Sequence, residues 1–204
     1  LERHPSLSFI LCGTKSRIEP VLDAHPKLKA RARVVHTDHV IAMTEKPSQA
    51  LRRGKGSSMW LALEAGKTGE AEAALSAGNT GALMAISKLV LRPIAGIERP
   101  AIAALWPTIN SECIVLDVGA NIGATASQLA DFSLMGAAMA RAVFHIERPS
   151  VGLLNVGTEE IKGNEDVKAA HAILKATAAL PLEYKGFVEG DQIGQGAVDV
   201  VVVE

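Results

Sequence analysis

The sequence predicts an α/β fold: a three-layer α/β/α sandwich around a largely parallel sheet. Three observations carry this. Short runs rich in Val, Ile and Leu recur along the chain, helix-period patterns lie between them, and Gly/Asn turns join several runs to the helix that follows. Continuous apolar runs suit strands buried on both faces. Strands are expected at 7–12, 33–36, 73–76, 101–105, 113–118, 151–156, 184–188 and 198–203.

The intervening segments supply the helices. Leu83, Ile86 and Val90 share one face after Gly81, and Leu129, Phe132, Met139 and Val143 do so after Gly123. Val167, Ala170 and Leu174 define a third face, with Asn164 placed to cap it. Residues 92–100 form a loop bracketed by prolines. Gly136, Ala137, Ala138 and Ala140 allow close helix approach, either as a seam between two copies or as packing within one.

The 204 residues suit one domain, and 1–204 reads as a single α/β domain. A charged opening without Met and a Val-rich run closing on Glu204 suggest that this domain is incomplete at both ends. Apolar residues make up 48% and charged residues 21%, the balance of a folded globule rather than a disordered chain. Aromatics are 3% and the net charge is -1, which argues against nucleic-acid stacking platforms and a global basic field. Cys12 and Cys113 lack the companions of a metal site or disulfide framework and read as buried thiols. No apolar run reaches the ~18 residues of a membrane span, so the cytoplasm is the expected location.

Two turns dominate the functional reading: Ser76-Ala77-Gly78-Asn79-Thr80-Gly81 and Asp117-Val118-Gly119-Ala120-Asn121-Ile122-Gly123. A strand–turn–helix junction lies at the carboxyl end of a strand, where α/β proteins bind ligands, and it offers backbone N–H groups to anions. In the first turn Ser76, Gly78, Asn79 and Thr80 are candidates; in the second, Asp117, Gly119 and Asn121. The alternative for both is ordinary helix capping. The second turn echoes a dinucleotide fingerprint weakly, because Asn121 stands where a glycine belongs.

The run Arg52-Arg53-Gly54-Lys55-Gly56-Ser57-Ser58 can grip phosphate through Arg52, Lys55, Ser57 and Ser58, or form a solvated turn in which a serine caps the next helix. Lys162 and Asn164 are further anion candidates, and Glu189-Gly190-Asp191 is explained by turn chemistry. His36 and His39 flank Thr37-Asp38 after a strand, making His36 a candidate for proton transfer. Metal-ligand spacing and a nucleophile elbow are absent from the sequence, and no cofactor is expected.

Beyond single turns, ordered stretches along nearly the whole chain resemble the bacterial phosphate acyltransferase (PlsX) family. They are His36-Thr37-Asp38, Lys46-Pro47 through Ser57-Ser58-Met59, residues 76–85, Arg99-Pro100-Ala101, residues 116–121, Met135-Gly136, residues 152–157, Lys162-Gly163-Asn164-Glu165 and residues 186–190. The resemblance implies a phosphotransacetylase-like sandwich, related to isocitrate and isopropylmalate dehydrogenases and usually homodimeric. It further implies transfer of a long-chain acyl group from acyl-carrier protein to inorganic phosphate. The acyl phosphate would then serve a membrane glycerol-3-phosphate acyltransferase in phosphatidic acid synthesis. Peripheral membrane association belongs to the same expectation. On this reading Arg52, Lys55, Ser57, Asn79 and Lys162 meet phosphate or an oxyanion, Asn121 orients the carbonyl, and Arg31, Arg33 and Arg53 face the acidic carrier protein. Alternatives are an acyl-coenzyme A phosphotransacetylase, a related oxidoreductase and a non-catalytic carrier-binding module.

Overall fold

The computed structural model describes residues 4–109, 111–121 and 123–204. They form two compact units, Leu1–Ile94 and Ala95–Glu204.

The first unit holds strands β1 (Phe9–Gly13) and β2 (Ala32–His36), helices α1 (Lys15–Asp23) and α2 (Pro26–Lys29), and helices α3 (Pro47–Arg53), α4 (Ser58–Thr68) and α5 (Thr80–Val90). The two strands pair in parallel, Phe9 with Ala32 through Gly13 with His36. Parallel strands need a crossover, and α1 and α2 supply it. Ile41, Ala50, Met59, Leu63, Ala82, Ile86 and Val90 form a buried cluster among the later helices. Ile86 and Val90 therefore occupy the face expected of them.

In the second unit, strands β3 (Ala103–Pro107), β4 (Glu112–Leu116), β5 (Ser150–Leu154), β6 (Glu183–Val188) and β7 (Val200–Val202) form a sheet ordered β3-β4-β7-β5-β6. Only β3 runs antiparallel to its neighbour. Helices α6 (Ala126–Phe144) and α7 (Glu165–Ala176) pack together, and α8 (Gly190–Gln195) follows β6. Ile114, Leu116, Leu129, Phe132, Val151, Leu153, Val200 and Val202 belong to the larger core cluster, which also takes Val167, Ala170 and Leu174. Cys113, Val115, Val188, Val198 and Val201 make a second cluster, with Ile193 against it. The alternation of these strand residues between two clusters explains why β4 and β7 read as unbroken apolar runs.

Polar contacts fix the register. Asp199 accepts from the Ser150 N–H at 2.7 Å and the Ser150 hydroxyl at 2.6 Å, while the Asp199 N–H donates to Ser150 Oγ at 2.9 Å. Gly136 lets α6 lie against the sheet, because a Cβ there would collide with Val200.

One expectation needs correcting. Residues 73–76 form no strand: they lack a pairing partner, and Leu75 is 95% exposed. Of the two readings of the small-residue stretch, burial of Gly136, Ala137 and Ala140 within their own unit supports packing within one copy; of the four, only Ala138 is exposed. Cys12 and Cys113 are free thiols, half-buried and buried. Among the described residues no helix is long and apolar enough to cross a membrane.

Candidate active site

In the first unit, Asn79 is 8% exposed and both ends of its side chain are engaged. Its Oδ1 accepts from the Ala82 N–H at 3.0 Å, capping α5. Its Nδ2 donates to the carbonyls of Ala42, Met43 and Glu45 at 3.2, 3.0 and 2.8 Å. Ser76 Oγ accepts from Gly78 N–H at 3.1 Å and tightens the turn, while Thr80 stands exposed. Gly78 and Gly81 permit close approach: an added Cβ would come 3.1 Å from Met59 Cε and 2.8 Å from Pro47 Cγ, respectively.

The basic turn divides its residues by function. Arg52, Arg53 and Lys55 are exposed. Ser57 is fully buried, and its Oγ accepts from Trp60 N–H at 3.2 Å as the α4 cap. The Ser58 N–H donates to the His39 carbonyl at 3.0 Å. Thr37 donates its hydroxyl to the Gly56 carbonyl at 2.9 Å, tying the end of β2 to this turn. His36 Nδ1 accepts from Lys15 N–H at 3.1 Å, so in the neutral ring Nε2 carries the proton, 3.6 Å from the Asp38 carboxylate.

In the second unit the turn after β4 is built around Asp117, 6% exposed. Its Oδ1 accepts from the N–H groups of Ile102 (2.7 Å) and Ala120 (3.2 Å). Its Oδ2 accepts from the Asn121 N–H and Asn121 Nδ2, both at 2.7 Å. Nδ2 also donates to the Pro100 carbonyl at 3.1 Å. Gly119, with φ 89, has open space where a Cβ would stand. Ile122 lies outside the described residues.

These networks narrow the roles expected from sequence. Ser57 and Asp117 hold their loops through backbone N–H groups. The amide nitrogens of Asn79 and Asn121 both face acceptors within the fold: three carbonyls for Asn79, a carboxylate and a carbonyl for Asn121. The start of α6 is also filled. Thr125 and Gln128 form a capping box there, and the Ala126 N–H donates to the Asp166 carboxylate at 3.1 Å.

The loop after β5 carries Lys162 and Asn164. Lys162 pairs with Glu159 at 2.9 Å, which raises the lysine and lowers the carboxyl from their ordinary ranges. Asn164 Oδ1 caps α7 through Val167 N–H at 2.8 Å, and its amide donates to the Glu204 carboxylate. Sequence reading missed Asn155, whose Nδ2 closes this loop by donating to the Gly157 and Lys162 carbonyls, both at 3.0 Å. It also missed Asp131, whose carboxyl is pushed up by burial and by the charge of Glu98. Glu189-Gly190-Asp191 is a helix start, with the Glu189 N–H donating to Gln192 Oε1 at 2.8 Å.

The fold class is that of the phosphotransacetylases. EutD phosphotransacetylase from Staphylococcus aureus superposes with a TM-score of 0.59 at 15% identity, over 96% of this chain and 77% of its own. A branched-chain phosphotransacylase from Enterococcus faecalis gives a TM-score of 0.60 at 13% identity, over 97% and 79%. The family model described as Fatty acid synthesis protein matches residues 1–204. Phosphate acyltransferases from Rhizobium rhizogenes and Afipia carboxidovorans are 61% and 62% identical across the whole chain. This chain belongs to that phosphate acyltransferase (PlsX) family. It spans 59% and 58% of the lengths of those two relatives.

Proposed function

We propose that the protein containing this chain transfers a fatty acyl group from acyl-carrier protein to inorganic phosphate, giving an acyl phosphate for phosphatidic acid synthesis. The observation that carries this reading is the identity of about 60% to phosphate acyltransferases over all of the chain. A phosphate oxygen attacks the thioester carbonyl carbon, the C–S bond breaks as the C–O bond forms, and the thiolate leaves and takes up a proton. Phosphate is itself the nucleophile, so positioning and charge stabilisation supply the catalysis.

The chain offers suitable groups. Arg52 and Lys55 present exposed cations on a turn tied down by Thr37 and Ser57. Thr80 and Gly119 stand at open positions of the two Gly/Asn turns, and Lys162 on a closed loop. Nε2 of His36 is the candidate proton carrier. Ser58, Ser76, Gly78 and Asn164 hold the loops around these groups.

The same proposal includes a homodimer and contact with the membrane surface, where a glycerol-3-phosphate acyltransferase consumes the product. The deciding measurement is thiol release with and without inorganic phosphate, using acyl-carrier-protein and coenzyme A thioesters in parallel. Faster release from the carrier protein, dependent on phosphate, supports the proposal. Preference for coenzyme A makes the protein a phosphotransacetylase, and no phosphate dependence overturns both readings.

A further inference from the structure

Arg99 appears in the sequence only as part of a short Arg-Pro-Ala stretch, yet the fold prepares it with care. It lies in the loop before β3 and is exposed, with Nη1 3.5 Å from Asn121 Oδ1. The direction of that amide is fixed. Asn121 Nδ2 already faces two acceptors, Asp117 Oδ2 and the Pro100 carbonyl, so Oδ1 must turn outward to Arg99. The backbone beside Arg99 is held by the same network: Pro100 supplies a carbonyl to Asn121, and Ile102 donates its N–H to Asp117. Asp117 thus fixes Asn121, and together they fix the segment from which Arg99 projects.

The guanidinium carries five N–H donors, and the neutral Asn121 carbonyl engages one of them at the limit of hydrogen-bond range. Among the described residues no carboxylate pairs with Arg99. The four lysines of 95–204 contrast with it: Lys162, Lys168, Lys175 and Lys185 each hold a glutamate. A neutral amide orients a guanidinium without neutralising it. Beside it the Asp117–Asn121 turn is open over Gly119. A planar cation with several free donors at an open turn matches the geometry of a phosphate, which it can grip with two parallel bonds.

We propose that Arg99 binds the acceptor phosphate and that Asn121 is its positioning residue. This rests on the phosphate acyltransferase reading above, but it is tested separately. The nitrogen-labelled full-length protein is titrated with inorganic phosphate at constant ionic strength, following the Arg99 Nε–H and Asn121 side-chain amide resonances, with chloride as control. Both resonances should shift saturably with phosphate and not with chloride. Arg99→Gln should weaken phosphate binding about tenfold or more, the scale of a lost charge-assisted hydrogen bond. Arg99→Lys should fall between them, since it keeps the charge and loses the fork. Equal phosphate affinity in Arg99→Gln and the parent, or no saturable shift in the parent, overturns the proposal.

The acyl-transfer assay on the full-length protein separates the two ideas. Acyl phosphate formation with an unchanged KM for phosphate in Arg99→Gln sinks this site and leaves the reaction standing. Arg99-dependent phosphate binding in a protein that forms no acyl phosphate supports the site and sinks the reaction.

Discussion

The side-chain nitrogen of Asn79 sits 2.8 Å from the carbonyl oxygen of Glu45, and the same nitrogen also reaches the carbonyls of Ala42 and Met43. One buried amide group therefore binds the 42–45 loop to the first turn of α5. Its oxygen caps that helix in the same arrangement.

Asn79→Ala should lower stability by about 2–4 kcal/mol, because it removes a helix cap and strips three carbonyls of their donor. Asn79→Asp should not rescue it, since a carboxylate would face those same oxygens. Chemical denaturation checks both. A variant that loses turnover at unchanged stability would instead assign Asn79 a direct role with substrate.

Gly136→Ala should cost about 1–3 kcal/mol through collision of the new methyl with Val200. Thermal unfolding reads the loss. Ala138→Ser, on the exposed side of the same helix, should leave the unfolding midpoint within about 2 °C of the parent.

Burial pushes the Cys113 thiol up, with the charge of Asp199 adding to it, and burial also raises Cys12. A raised folded-state value means that stability is fully present below the unfolded thiol's ordinary 9.0 and declines as pH rises through the folded value. Denaturation midpoints should therefore fall above pH 9, and less steeply in Cys113→Ala after allowing for its lost packing. At neutral pH, iodoacetamide should modify half-buried Cys12 before Cys113.

Glu160 is held below the usual carboxyl range by its hydrogen bond with Lys175, and His171 contributes in the same direction. Its lowered value gives a contribution present above the ordinary 4.5 and lost as pH falls through the folded value. The pair is solvent-exposed, so the stability change should be small. The informative readout is the Glu160 carboxyl carbon shift in NMR, whose midpoint should move upward in Lys175→Met.

Much of the second unit was legible because its strands are buried on both sides. Runs such as 113–118 and 198–203 stand out even though the paired strands are shorter. Asn164 was legible as a cap because capping is local, three residues from its donor. Residues 73–76 misled because apolar content cannot reveal whether a partner strand exists. The site was harder. Ser57, Asn79 and Asp117 mark turns by residue type, but whether a polar side chain points into the fold depends on segments far away in sequence. Arg99 with Asn121, and Asp166 with the start of α6, meet across 22 and 40 residues. No local pattern encodes such meetings.

The carboxylate of Asp166 at the start of α6 makes that helix its own resident antagonist of anions. An anion approaching there meets a negative charge that offsets the positive pole of the helix.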